Sequence, residues 1–314
     1  MISGSALLRH MTWRERLAGL ASTVATALTA RRARLVGQVL VFGGLVFVLI
    51  RLRSIWSEGD ITLDNVRWAY LAGAAAVALC GVAASGLVWV KILEWLGVAT
   101  RRAWAGIFLQ AQLAKYVPGS VWQYAGRATL GRTSGVPMRP LAESLPVELA
   151  ASAGAAGIFS ILLVGWWGAV GVVALLGTAA LAHVLSRGRR VWYAAFGGTL
   201  LYGFVWLFVS ASFCLTALAF VRVPVEDLPT YAGAFAVAWL VGLVAVYAPG
   251  GIGIREAVLV ALLRDKLGSA DALVVAAASR GVLTAADLLG AAVGRVILRR
   301  APRPSDVAGP SRAR

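Results

Sequence analysis

Hydrophobic positions in this chain neither alternate as in a half-buried strand nor recur every third or fourth residue as in a surface helix. They run on. Six stretches, Leu35–Ile50, Trp68–Val90, Leu141–Trp166, Ala169–Leu185, Trp192–Phe220 and Ala270–Leu298, are apolar almost throughout and 16 to 29 residues long. A helix that is apolar all round has no face for water, and runs of about 18 or more such residues predict membrane-crossing helices. The first and fourth stretches, of 16 and 17 residues, need flanking side chains that reach the interface or a thinner bilayer. Two further apolar stretches, Ala103–Val117 and Tyr231–Ala248, stop abruptly at Pro-Gly. The pattern predicts an all-α polytopic membrane protein with about six full spans and two re-entrant, broken-helix hairpins.

Composition agrees: of 314 residues 60% are hydrophobic and 14% charged, with a mean hydropathy of +0.79. A soluble domain carries about 25% charged residues. Charge placement then orients the spans. With a cytoplasmic N-terminus, the segments predicted inside hold 22 Lys and Arg and the loops predicted outside hold 6, together with seven acids. That bias follows positive-inside sorting and puts both termini on the cytoplasmic side of the cell (plasma) membrane. It also accounts for the net charge of +16 without nucleic acid, since no basic face interleaved with aromatics lies outside the apolar runs.

The same bias bears on Tyr231–Ala248. Its 18 residues make about 27 Å of helix, barely enough to cross. A crossing there would leave the Arg-rich C-terminal tail outside. Residues 231–264 therefore read as a re-entrant hairpin entering from outside, and residues 103–126 as one entering from inside. The organisation expected is a basic cytoplasmic tail over 1–34, a membrane domain over 35–300 and a short disordered basic tail over 301–314. Residues 1–34 hold six arginines against one glutamate and no long apolar core before a small-residue cleavage site. They read as a basic tail near an anionic membrane surface rather than a cleaved leader.

The two breaks resemble each other. In KYVPGSVWQYAGR (115–127) and VYAPGGIGIREA (246–257), Tyr116, Pro118 and Gly119 match Tyr247, Pro249 and Gly250 at one offset of 131 residues, and Val121 then faces Ile252. Paired Gly/Pro-interrupted segments in opposite orientations point to an inverted-repeat transporter. Proline ends the incoming half-helix and glycine permits the turn. The next half-helix then starts at membrane depth with free N–H groups and a partial positive charge, an arrangement suited to an anion. Irregular backbone at that depth requires burial in protein or access to water.

Five ionisable residues fall in or beside the apolar segments: Glu148, Arg255, Glu256, Arg280 and Asp287. A charge at a helix centre costs roughly 2.5–3.5 kcal/mol to insert, so these should face inward and pair. Arg280 and Asp287 are seven apart and share a helix face. Arg280 with Glu256, and Arg255 with Asp287, is one consistent set; Glu148 is within plausible reach of Arg127 or Arg132. Such pairs can equally be structural, holding helices in register, and Lys115 and Arg127 can equally be ordinary positive-inside charges. Arg255, Glu256, Gly250, Gly251 and Gly253 around the second break, with Pro118, Gly119, Trp122 and Arg127 around the first, are the candidate headgroup-binding residues. Glu148, Arg280 and Asp287 form the candidate buried charge network.

Most of the twelve tryptophans read as interfacial belt or packing residues. His10 and His183 lie far apart without a carboxylate constellation, and Cys80 and Cys214 sit in apolar runs without metal-ligand neighbours. No metal, cofactor or catalytic residue is expected. Small residues at helical spacing, such as Gly81 and Ser85, suit packing within the chain as readily as a homo-oligomer.

A late PGG-I/V-G-x-REA signature, here PGGIGIREA at 249–257, resembles the flippase-like transmembrane region of lysylphosphatidylglycerol synthases. An upstream PG-x-x-W…GR element, here PGSVWQYAGR at 118–127, and a later helix running from Arg280 to Asp287-Leu288 fit the same resemblance, which covers residues 35 to 300. It implies lipid handling: moving an anionic or aminoacylated phospholipid, or a polyprenyl-phosphate-linked saccharide, between leaflets. It also implies that Pro249, Gly250, Gly251, Gly253, Arg255 and Glu256, with Pro118, Gly119 and Arg127 as counterparts, form the headgroup site. The full synthases append a large soluble aminoacyl-transfer domain, whereas the last predicted span here ends at Leu298 of 314 residues. The expectation is therefore a stand-alone membrane domain.

Three functions compete. A lipid flippase or transporter comes first; GxxxxGK-S/T does not occur, so movement would be facilitated or gradient-coupled. The alternative is a non-transporting membrane partner of a separate glycosyltransferase or lipid-modifying synthase. An intramembrane enzyme acting on polyprenyl phosphate would want paired carboxylates with metal, but Glu143 and Glu148 are five apart on roughly opposed helix faces.

Overall fold

The computed structural model describes residues 65–116, 122–161, 189–244, 251 and 253–300. The predicted spans Leu35–Ile50 and Ala169–Leu185, both tails, and the Pro-Gly dipeptides at 118–119 and 249–250 lie outside the described residues. The eight α-helices among them are α1 (Trp68–Trp95), α2 (Ala105–Ala111), α3 (Trp122–Thr133), α4 (Met138–Ser160), α5 (Arg189–Phe220), α6 (Leu228–Val244), α7 (Ile254–Leu267) and α8 (Ser269–Arg300). Short 3-10 turns lead into α2 and α6, and another, Gln112–Tyr116, continues α2 to the edge of the first break. There is no strand among the described residues.

Four helices are long and apolar enough to cross a membrane: Trp68–Trp95, Arg190–Phe220, Val225–Val244 and Ser269–Arg300. Three of them fall on predicted spans. They overrun the apolar cores because charged residues continue the helix into the interface: Lys91 and Glu94, one turn apart in the last turns of α1, pair at 2.7 Å. The fourth falls on the first arm of the expected hairpin at 231–264, where length and composition would allow a crossing. Helix α4, on the expected span Leu141–Trp166, is not among the four. It carries Arg139, Glu143 and Glu148 and has Pro146 in its interior.

Contacts between helices run in a closed circuit. Helix α1 packs along α5, α5 on α4, α4 on α6, α6 on α7 and α7 on α8, and α8 returns to α1 and α2. The largest buried apolar cluster joins α1, α4, α5, α6, α7 and α8, with Trp206 and Phe213 on α5 against Phe235 on α6. A second cluster joins α1 to α2 and α4 through Trp89, Phe108 and Leu141.

Lipid tails are as apolar as leucine, so helices gain from packing only where backbones come close. Helices α2 and α8 do so at Gly106 and Gly294. A Cβ on Gly106 would stand 2.7 Å from the Gly294 carbonyl oxygen, and one on Gly294 would stand 2.8 Å from that of Gly106. Gly81 and Ser85 are both buried on α1. The Gly81 face meets Phe208 on α5, and the Ser85 hydroxyl donates to the Gly81 carbonyl at 2.9 Å. Gly294→Val should therefore lower the thermal unfolding midpoint in detergent, by the equivalent of about 1–3 kcal/mol for overpacking. Gly281→Ala, in the same helix but with open space around it, should leave that midpoint unchanged or raise it.

Candidate functional site

The circuit of helices encloses a cavity of about 240 Å³. Six charged side chains line it: Lys115 from the turn before the first break, Arg127 on α3, Glu148 on α4, Arg255 on α7, and Arg280 and Asp287 on α8. Tyr116, just before the first break, and Gly251, beside the second, line the same space.

The charges are paired with selectivity. Arg127, only 1% exposed, forms an ion pair with Glu148. Its guanidinium lies 4.3 Å from the centre of the Phe108 ring and 5.4 Å from that of Trp89, a stacked environment that favours Arg over Lys. The other Glu148 oxygen accepts from the Tyr202 hydroxyl at 3.2 Å. Asp287, also 1% exposed, is held by Lys115 Nζ at 2.6 Å and by the Tyr116 hydroxyl at 2.6 Å. Arg280 stands 3.7 Å from Glu256.

Two of the expected pairings are therefore present, Arg280 with Glu256 and Glu148 with Arg127. The third, Arg255 with Asp287, is not. Seven residues along α8 are about 10 Å of rise. Arg280 thus sits level with the start of α7, while Asp287 sits level with the turn Gln112–Tyr116, from which Lys115 and Tyr116 reach it.

Arg255 is held differently. Its side chain threads between two glycines: a Cβ on Gly242 of α6 would fall 2.5 Å from its Cγ, and one on Gly251 would fall 2.7 Å from its Nε. Gly251 also has φ of +71°, so glycine is required there for conformation as well as for space. The guanidinium lies 5.6 Å from the centre of the Trp239 ring. Its Nε is buried without a hydrogen-bond partner, as is the Nε of Arg127. Around the cavity stand four cations, Lys115, Arg127, Arg255 and Arg280, and three carboxylates, Glu148, Glu256 and Asp287. Among the described residues three ion pairs form and Arg255 is left over. The break segments 117–121, 245–250 and 252 contain no charged residue.

Glu256 is not a lining residue. It is 6% exposed, and it accepts the N–H of Gly253, the N-cap of α7, at 2.6 Å. The positive end of α7 is thus partly satisfied by a carboxylate of its own first turn. Gly253, with φ of +84°, shapes the turn. Trp122 starts α3, is 38% exposed and does not line the cavity. Pro118, Gly119 and Gly250 lie outside the described residues.

Tyr202, Trp239, Trp89 and Phe108 were not marked out by the sequence. Each comes from an apolar run in which an aromatic residue is unremarkable, and only the fold sets it against an arginine or a carboxylate. Lys115 and Tyr116 did carry a signal, immediately before the first break. Among the described residues no three His, Cys, Asp or Glu side chains group as a metal site. What the arrangement offers is fixed positive charge and stacked guanidinium groups in a partly enclosed space, which is the chemistry of anion binding.

No protein-family model matches the chain, and no curated protein or solved structure does either.

The Arg127–Glu148 pair gives a direct test of this charge balance. Removing one partner of a buried pair leaves an uncompensated charge and costs about 3–5 kcal/mol, whereas removing both leaves none. Arg127→Met and Glu148→Gln should each lower the unfolding midpoint sharply, and the double variant should recover much of the loss in a double-mutant cycle.

Proposed function

We propose that this protein is a membrane lipid flippase or transporter that moves a phosphate-bearing headgroup between leaflets through the cavity at the two breaks. The candidate substrates are an anionic or aminoacylated phospholipid and a polyprenyl-phosphate-linked saccharide. The observation that carries the reading is the surplus cation. Among the described residues four basic side chains face three carboxylates, and the one left over, Arg255, holds a buried Nε without a partner there. A buried donor or charge without a partner is expensive, and an entering phosphate would relieve it.

Helix lengths support the finer architecture, six spans with two re-entrant hairpins in an inverted-repeat arrangement. Helices α3 and α7, which follow the breaks, have 12 and 14 residues, about 18 and 21 Å, short of a hydrocarbon core of about 30 Å. The resemblance of PGGIGIREA and PGSVWQYAGR to the flippase-like region of lysylphosphatidylglycerol synthases supports the same reading. So does the positive-inside bias, with both termini cytoplasmic in the plasma membrane.

Headgroup translocation in proteoliposomes tests the proposal, using fluorescent phosphatidylglycerol, its lysyl ester and a short polyprenyl-phosphate sugar. Protein-dependent movement of at least one lipid is expected. In Arg255→Ala it should fall by about tenfold or more, the scale of one lost charge-assisted hydrogen bond, with folding unchanged. If a well-folded preparation moves none of the three, the transporter reading fails and a partner role for a separate transferase takes its place.

A further inference from the structure

We infer that the cavity selects headgroups of net negative charge, a phosphate bearing a neutral, hydroxyl-rich substituent, and rejects the aminoacylated headgroup. The inference deepens the transporter reading, and rests on it in taking this cavity as the headgroup site.

Headgroup charge separates the candidates. Phosphatidylglycerol and a polyprenyl-phosphate sugar are anionic. The lysyl ester sets two ammonium groups against one phosphate and is net cationic. An ammonium entering the cavity is neutralised only by a carboxylate, since the aromatic faces that line it attract a cation without cancelling its charge, and all three carboxylates are engaged. Asp287 is held by Lys115 and Tyr116, Glu148 by Arg127 and Tyr202, and Glu256 by Arg280 and the Gly253 N–H. To accept an ammonium, one of these must share or give up its own cation, and at Glu148 that would strand Arg127, which is 1% exposed. The ammonium would also meet the uncompensated Arg255. At an effective dielectric constant of about 20, two like charges about 5 Å apart disfavour the complex by more than about a hundredfold.

A phosphate meets the opposite situation. Arg127 and Arg255 line the cavity, and each has a buried Nε with no acceptor among the described residues. An oxyanion supplies acceptors at no cost to an existing pair. The remaining polar lining, which includes Ser85, Gln112, Gln123, Tyr124 and Ser152, is neutral, and can exchange hydrogen bonds with hydroxyl groups but cannot neutralise an ammonium. The volume of about 240 Å³ equals about eight waters at about 30 Å³ each, the scale of a headgroup whose acyl or prenyl chains stay in lipid.

The test is binding, read separately from movement. The purified full chain in detergent is titrated with phosphatidylglycerol, its lysyl ester and a short polyprenyl-phosphate hexose, following lipid-induced thermal stabilisation. A chain of net charge +16 gathers anionic lipid on its surface in any case, so cavity variants decide the matter. Wild type should bind both anionic lipids about tenfold or more tighter than the lysyl ester. Arg255→Gln should erase most of that difference, and Arg255→Glu should turn it toward the lysyl ester. Lys115→Gln, at a partly exposed position, frees Asp287 and should raise lysyl-ester binding even if the Arg255 variants fold poorly. Tighter binding of the lysyl ester by wild type, or a preference untouched by the cavity variants that fold, overturns the inference. The stronger of the two anionic lipids identifies the source of the phosphate. Proteoliposomes that move the lysyl ester in preference would overturn this inference and keep the transporter; intact charge selection without movement of any lipid would do the reverse.

Discussion

A charge withdrawn from water is costly unless it is paired, and in this protein three ion pairs tie down the elements that flank the two breaks. Helices α3 and α7 are too short to be fixed by spanning. Each is tied instead by an ion pair to a neighbouring helix, Arg127 of α3 to Glu148 of α4, and Glu256 of α7 to Arg280 of α8. The turn that leads into the first break is tied by Lys115 to Asp287. Every pair joins a broken element to a longer helix, and α8 receives one pair from each half of the chain. In an apolar environment, where burial of hydrophobic surface distinguishes poorly between alternative packings, such pairs specify register more sharply than leucine contacts can.

Glycine works with these charges. At Gly106 and Gly294 it lets α2 and α8 touch backbone to backbone, and that crossing sets the separation between the first half of the chain and the helix that carries Arg280 and Asp287. At Gly242 and Gly251 it provides a slot, filled by the Arg255 side chain. A larger residue at either slot position would push the guanidinium away from Trp239. Close packing and placement of the unpaired charge are thus one problem, solved with the same residue type.

Much of this was legible in the chain. Run length alone located α1, α5 and α8, because an uninterrupted apolar stretch has few other solutions. The Arg280–Glu256 pair followed from an arginine and aspartate on one helix face and an Arg-Glu dipeptide just past a break. The partner of Asp287 was not legible, since Lys115 and Tyr116 lie in the other half of the chain and no periodicity links them to it. Val225–Val244 is long and apolar enough to cross, as its length in the sequence allowed, and only the charge bias made a hairpin the preferred reading there. The aromatic supports of Arg127 and Arg255 were hidden for a simpler reason: in a chain with 12 tryptophans, an aromatic residue in an apolar run signals nothing by itself.

The position of Glu256 changes how the second break works as a proposed anion site. A helix beginning in mid-membrane would ordinarily present free N–H groups, and these alone could draw a phosphate. Here the chain supplies its own carboxylate to the Gly253 N–H, and Arg280 offsets that carboxylate in turn. The helix end is therefore partly satisfied as built, and the proposed attraction for an anion rests as much on Arg255, one residue before that carboxylate. A guanidinium on a glycine-lined slot can tilt with its ligand, whereas a helix terminus is fixed to the backbone. If the proposed transport role holds, the site must release what it binds, and charge carried on a side chain and left one carboxylate short suits that better than a rigid cradle of backbone amides.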